Sequence, residues 1–279
     1  MKRTLYKYFP LTNDAHLQRL ERLLQGWIYF SSPDHFNDPF EISPVLAPPT
    51  REDFDDVIDL VSPEVRMLSK SARSKVFRGI TDAIRSSSSP AVTTDWMKSV
   101  GVLCLSTQPE DLLMWAHYAS NHSGLCVGFD SDVGLFGSAR GVKYSNERPL
   151  VRAIDLSRNE DALIDGVLFT KSLHWKYEAE WRCLKRPVRE GEIEYYQSLL
   201  VAQPHRENEI ADILATEGGS GNYEFDVRAI RRVYFGARMQ ATHREKLRQL
   251  LGSLTPLAKP YQMELDPRYF RLNVSKKLS

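Results

Sequence analysis

The stretch 172–183 reads SLHWKYEAEWRC and sets Glu178, Glu180 and Arg182 in alternation with Tyr177, Ala179 and Trp181. On a strand, side chains two apart share a face. Glu178, Glu180 and Arg182 then line one side, with Lys176 before them. Tyr177, Ala179, Trp181 and Cys183 line the other and pack on the core. Two carboxylates ~7 Å apart along a strand can divide a glycosyl-transfer reaction. One holds a ribose hydroxyl and stabilises an oxocarbenium-like centre, and the other takes a proton from the attacking group. The same pattern fits a solvated strand face on which Arg182 pairs its neighbours, where such contacts contribute only ~0–1 kcal/mol. Spacing alone leaves both readings open.

Two further blocks carry side chains suited to a site. FNDPFE (36–41) joins turn-forming Asn37 and Asp38 to Pro39, with Phe36 and Phe40 expected to point inward. It reads either as a packed turn with aromatic anchors or as a rigid loop presenting Asn37, Asp38 or Glu41 to a ligand. MWAHYASNHSG (114–124) places Met114, His117, Tyr118 and Asn121 on the side of a helix away from its leucines, with His122 near its end. That is an ordinary amphipathic helix, or a pocket wall on which Trp115 or Tyr118 stacks on a flat ring.

The elements that must position these residues follow from periodicity and turn chemistry. TLYKYFP reads as a first strand, and NDAHLQRLERLLQG as a helix capped by Asn13 or Thr12. Leu17, Leu20, Leu23 and Leu24 form its stripe, and Gly26 ends it. WIYFSS, VGVLCLS, LCVGFD, VKYS, IRRVYFG and YQMEL read as strands, VGVLCLS as a buried central one. TQPEDLLMWAHYASNHSG reads as a helix with a Thr107–Glu110 capping box, its Leu112, Leu113, Ala116 and Ala119 facing the core. DLSRNEDALIDGVLFTKSL, a segment near 205–215 and THREKLRQLLGSL read as helices, and GGSGN as a mobile loop. Residues 51–98 are charged and helical in pattern and close with SSSSP. Strands and helices mix without regular βαβ repetition. This predicts one α+β domain over 1–279, with a central mixed or antiparallel sheet, flanking helices and a helical insertion at about 51–98.

Bulk properties remove several classes of function. The chain has 279 residues, 42% of them hydrophobic, and a formal net charge of +1. That is enough apolar material for a real core. It supplies no overall attraction to nucleic acid or anionic membrane. Cys104, Cys126 and Cys183 are far apart and form no CxxC pair, so each reads as a small buried hydrophobe, with no zinc site or disulfide expected. The N-terminus has no apolar signal region and no run is long enough to span a membrane, which predicts a cytoplasmic protein. GGSGN lacks the P-loop Lys-Ser/Thr, and neither HExxH nor GxSxG occurs. No acidic metal cluster supports nucleic-acid hydrolysis.

The blocks LYKY, IYFSSPDHFNDPFE, CLST, LMWAHYASNHSGLCVGFD, VKY, SLHWKYEAEWR and VYFG, in that order over about residues 5–240, resemble a bacterial family known as domain of unknown function 2971. Links of some relatives to abortive phage infection imply a defence or toxin–antitoxin setting. A second resemblance is to ADP-ribosyltransferases. It implies a first-strand position near Lys7 or Tyr8, a second at Ser106 and Thr107, Glu180 as catalytic acid and Glu178 as the acceptor-activating one. Lys7 stands where that pattern has Arg or His, and STQ is only a partial Ser-Thr-Ser. The resemblances together imply an enzyme that uses NAD as substrate, with the acceptor, protein or nucleic acid, unspecified and no metal required. Trp115 or Tyr118 would stack on nicotinamide or adenine, and Asn37 and Asp38 would order a ligand loop, with His122 and Arg182 nearby. The alternative from another class is a non-catalytic ligand- or partner-binding module, antitoxin-like, with FNDPFE and WAHYA as its surface.

Overall fold

A computed structural model of the protein describes residues 3–51, 54–55, 58, 63–86, 98–152, 166–186, 190–206 and 218–275. In chain order the first elements are β1 (Thr4–Phe9), α1 (Asp14–Leu24), β2 (Trp27–Phe30), β3 (Val45–Ala47), α2 (Lys70–Ser86), β4 (Gly101–Ser106) and α3 (Leu112–Tyr118). Next come β5 (Leu125–Asp130), β6 (Arg140–Gly141), β7 (Lys143–Ser145), β8 (Leu150–Arg152), β9 (Thr170–Ser172) and β10 (Glu180–Lys185). The last are α4 (Glu190–Ala202), β11 (Gly221–Glu224), β12 (Ile230–Phe235), α5 (Ala241–Leu254), β13 (Lys259–Leu265) and β14 (Leu272–Ser275). The fold is α+β. The chain divides into two units: Met1–His35, Ser99–Val142 and His174–Ser279 form unit 1, and Phe36–Lys98 with Lys143–Leu173 form unit 2.

Unit 1 is built on a mixed sheet of eight strands in the order β14-β13-β12-β5-β1-β4-β10-β6. Only β12–β13 is a parallel pair; β1 lies antiparallel to β5 and β4, and β4 to β10. The period of two sorts side chains onto two faces. Leu5, Leu103, Leu105, Val127, Phe129, Cys183 and Val233 form one core with Leu20, Leu23 and Leu24 of α1 and Leu247 and Leu251 of α5. Tyr6, Tyr8, Cys126, Tyr234 and Met263 form a second cluster with Met114 and Trp115 of α3. α1 forms as its pattern dictates. The Asn13 side chain caps it by accepting the His16 N–H at 2.9 Å, and Gly26 follows its end with φ +96°, a region open to glycine. Unit 2 holds two parallel strand pairs, β3–β8 and β7–β9, and α2, whose Phe77 meets Phe54 edge-on at 4.9 Å.

Several expectations are corrected. The alternation at 172–183 is not one strand. Leu173–Glu178 is a turn of 3₁₀ helix, Ala179 takes φ 44°, and β10 begins only at Glu180. The third helix starts four residues later than its Thr107 capping box implied. Asp111 caps it instead, accepting the N–H groups of Leu113 and Met114 at 2.9 and 3.0 Å. Its buried face carries Met114 and Trp115, and Leu113 is exposed. Residues 190–202 are helical, whereas the helix expected near 205–215 falls on 3₁₀ residues Pro204–Arg206 and on positions outside the described residues. Residues 87–90 of the SSSSP segment and most of the helix expected over 155–173 also lie outside them, and Ser86 ends α2.

GGSGN is no open loop. Gly219 donates its N–H to the Lys185 carbonyl at 3.0 Å, and its own carbonyl accepts from the Tyr223 hydroxyl at 2.9 Å. Gly221 and Asn222 already belong to β11. A Cβ on Gly101 would lie 1.9 Å from the Gly219 carbonyl oxygen. The atom it meets is backbone and cannot swing aside, so Gly101→Ala is expected to lower stability by about 3 kcal/mol in urea denaturation. A change within about 0.5 kcal/mol would contradict this packing.

Candidate functional site

The acids singled out by the sequence lie at the junction of β4, β10, α3 and the 3₁₀ turn of unit 1. Ser106 and Glu180 face each other in register across β4 and β10, and Tyr6 of β1 stands opposite Ser106 on the other side. Directly opposed residues share a face, so the three form a row across neighbouring strands. Each is buried. The Glu180 carboxylate is gripped by the guanidinium two residues on: Arg182 Nε to Oε1 is 2.8 Å and Nη2 to Oε2 is 3.2 Å. Burial pushes the Arg182 pKa down to about 9, so it still carries its charge at neutral pH. Glu178 is buried as well and accepts the Tyr118 hydroxyl at 2.5 Å. Ser106 donates to the Glu178 carbonyl at 2.6 Å and accepts the Gln108 N–H at 3.0 Å.

Trp115 and Tyr8 are spent on packing. Trp115 is fully buried and donates its indole N–H to the Pro109 carbonyl at 2.8 Å. Tyr8 meets it edge-on at 5.3 Å and donates to the Gln108 carbonyl at 2.5 Å. His122 takes φ 71° in a run of left-handed residues with Ser120 and Asn121. Its Nδ1 is buried without a hydrogen-bond partner, and burial, then the Arg238 cation, pull its pKa below the usual histidine value.

Asn37 and Asp38 belong to unit 2. Asn37 is exposed; Asp38 is buried and closes a turn by accepting the Phe40 N–H at 2.9 Å. Phe40 does not point inward as expected: it is 62% exposed. Beside it the Glu41 carboxylate lies 3.5 Å from the Lys171 ammonium, both side chains buried, and Ile42 takes φ 52°, a costly region for a β-branched residue.

A second constellation in unit 1 is an open pocket of about 710 Å³. Lys7 and Phe9 of β1 and Leu20, Leu23 and Ile28 form its floor. Leu5, Lys7 and Phe9 share the α1 side of the sheet, opposite to Tyr6, Ser106 and Glu180. The sheet therefore separates this pocket from the acids. His16, Arg19 and Arg22 line it from α1, and Trp27, Tyr29 and His35 from beyond. Trp27 and Tyr29 are 37% and 48% exposed, and the Arg22 guanidinium sits 5.8 Å over the Trp27 ring. Thr12 holds His16 Nδ1, with its N–H and hydroxyl at 3.2 and 3.0 Å. No carboxylate lines the pocket among the described residues. Burial lowers the Lys7 pKa, against the opposing pull of Cys104, Glu180 and Cys183; its ammonium donates to the Cys104 carbonyl at 3.2 Å.

Lys7 and Tyr8 are the pocket residues that the sequence had marked. The rest were legible as a pattern: His16, Arg19 and Arg22 stand three apart on the helix face beside the leucine stripe, and Trp27 and Tyr29 alternate on the next strand.

Residues 114–183 match the model of a family described as a protein of unknown function (DUF2971). The resemblance read from the sequence blocks holds over this segment. It takes in Trp115, Tyr118, His122, Glu178, Glu180 and Arg182, and the pocket residues lie outside it. No curated protein and no solved structure matches the chain. No helix among the described residues is long and apolar enough to cross a membrane.

Proposed function

We propose that unit 1 is a binding module for a nucleotide, NAD or a related adenine nucleotide. The observation that carries this reading is the lining of the 710 Å³ pocket: Lys7, Arg19 and Arg22 with two histidines, exposed aromatic rings and no described carboxylate. A pocket of that size suits a small molecule. Cations lining it suit phosphates, Arg in particular. The exposed Trp27 ring and the apolar floor suit a base, which stacks on aromatic faces. The setting proposed is bacterial and cytoplasmic, in a defence or toxin–antitoxin system, as the family resemblance implies.

A second reading is ADP-ribosyl transfer from NAD, favoured by the opposed register of Ser106 and Glu180. In it Glu180 stabilises the ribose cation and Glu178 activates the acceptor. The Arg182 grip on Glu180 and the position of both acids relative to the sheet weigh for the binding module. The test follows NAD by calorimetry and by nicotinamide release, wild type beside Glu180→Gln. One-site binding without release is expected. Release by wild type that falls ~100-fold in Glu180→Gln, a loss of ~2.7 kcal/mol of transition-state stabilisation, would put the second reading first.

A further inference from the structure

Unit 2 has a cavity of its own, about 610 Å³ between the turn Pro48–Pro49–Thr50 and one face of α2. Arg78, Thr81 and Arg85 line it at i, i+3 and i+7, which share a helical face. Thr81 is only 8% exposed, yet its hydroxyl has no hydrogen-bond partner. A helical threonine ordinarily returns its hydroxyl to a carbonyl one turn back. A buried hydroxyl left without a partner is a cost that native proteins rarely carry. Of the flanking guanidiniums, Arg78 makes one long contact, Nε to the Ser74 carbonyl at 3.4 Å. Neither forms a salt bridge among the described residues. Asp82 is the acid on the same wall.

We propose that this cavity binds a small organic phosphate. A phosphoryl group offers three acceptor oxygens, which suits two guanidiniums and one hydroxyl lining the cavity from a single helix face. Phe77, Pro48 and Pro49 supply apolar surface for the organic part. The described residues that line it all belong to unit 2, and none of them lines the nucleotide pocket.

Phenyl phosphate is the test ligand, titrated by calorimetry into the full chain carrying Arg19→Gln and Arg22→Gln, so that the unit 1 pocket does not contribute. Saturable binding is expected, and phenol should show none. Adding Arg78→Gln and Arg85→Gln should weaken it at least ~50-fold. Thr81→Val keeps the shape and removes the hydroxyl, so affinity should fall roughly fivefold while the thermal midpoint holds or rises. Absence of saturation would overturn the proposal. So would unchanged affinity in the folded double-arginine variant, or in Thr81→Val, which decides the matter alone if the arginine variant loses its fold.

Discussion

Arg182→Met will cost the folded state about 3–5 kcal/mol, a large fraction of the stability of an ordinary domain. The cause is what remains. Glu180 stays buried at the start of β10 after losing the guanidinium that holds both of its oxygens, and removing one charged partner of a buried ion pair costs far more than replacing the whole pair. Replacing both residues, Glu180→Leu with Arg182→Met, should therefore recover much of the loss. Urea denaturation with a shared slope reads both effects. A single-variant loss below about 1 kcal/mol would mean that the pair behaves as a solvated one and that β10 does not sit as deep as described. The same physics bears on chemistry. A carboxylate already neutralised by a fixed guanidinium is a poor stabiliser of a transient cation.

Arg19→Gln with Arg22→Gln will weaken ADP binding about 100-fold, some 2.7 kcal/mol, with little change in stability. Both side chains are exposed beside the leucine stripe of α1 and are not among its buried residues. Lys7 adds a pH dependence of determinate sign. Its pKa is lowered from the ordinary lysine value, and an anionic ligand favours the protonated form. ADP affinity is therefore full below the lowered pKa and falls as pH rises through it. Lys7→Met should bind more weakly at neutral pH and lose this alkaline decline. Without ligand the sign reverses. The unfolded chain binds more protons than the folded one between the two pKa values, so the Lys7 contribution to stability rises with pH across that window. Equal affinity of wild type and the double-arginine variant would remove the phosphate contacts from the account.

Much of the fold was legible because local signals agree with global packing. The leucine stripe and Asn13 made α1 readable, and the β-branched and aromatic runs of β1, β4, β5 and β12 made the sheet readable. The misreadings share a cause. Periodicity reports which residues are apolar, and it is silent on a single backbone angle. Ala179 at φ 44° breaks the 172–183 alternation, moving Glu178 off the strand while Glu180 stays on it. Asp111 outcompetes Thr107 as a cap because Pro109 limits the helical start there; Trp115, one of two candidates for stacking on a flat ring, is fully buried. The cationic pocket escaped for another reason. Its residues are distributed over β1, α1, β2 and β11, and only the pairing of β2 with β11 and the packing of α1 beside β2 assemble them.

Crystals of the protein soaked with ADP show where the nucleotide sits. Density is expected in the unit 1 pocket, with the adenine ring against Trp27 and Tyr29 and the phosphates at Arg19, Arg22 and Lys7. Density on the other face of the sheet, at Ser106 and Glu180 with the Arg182 contact broken, would contradict this placement.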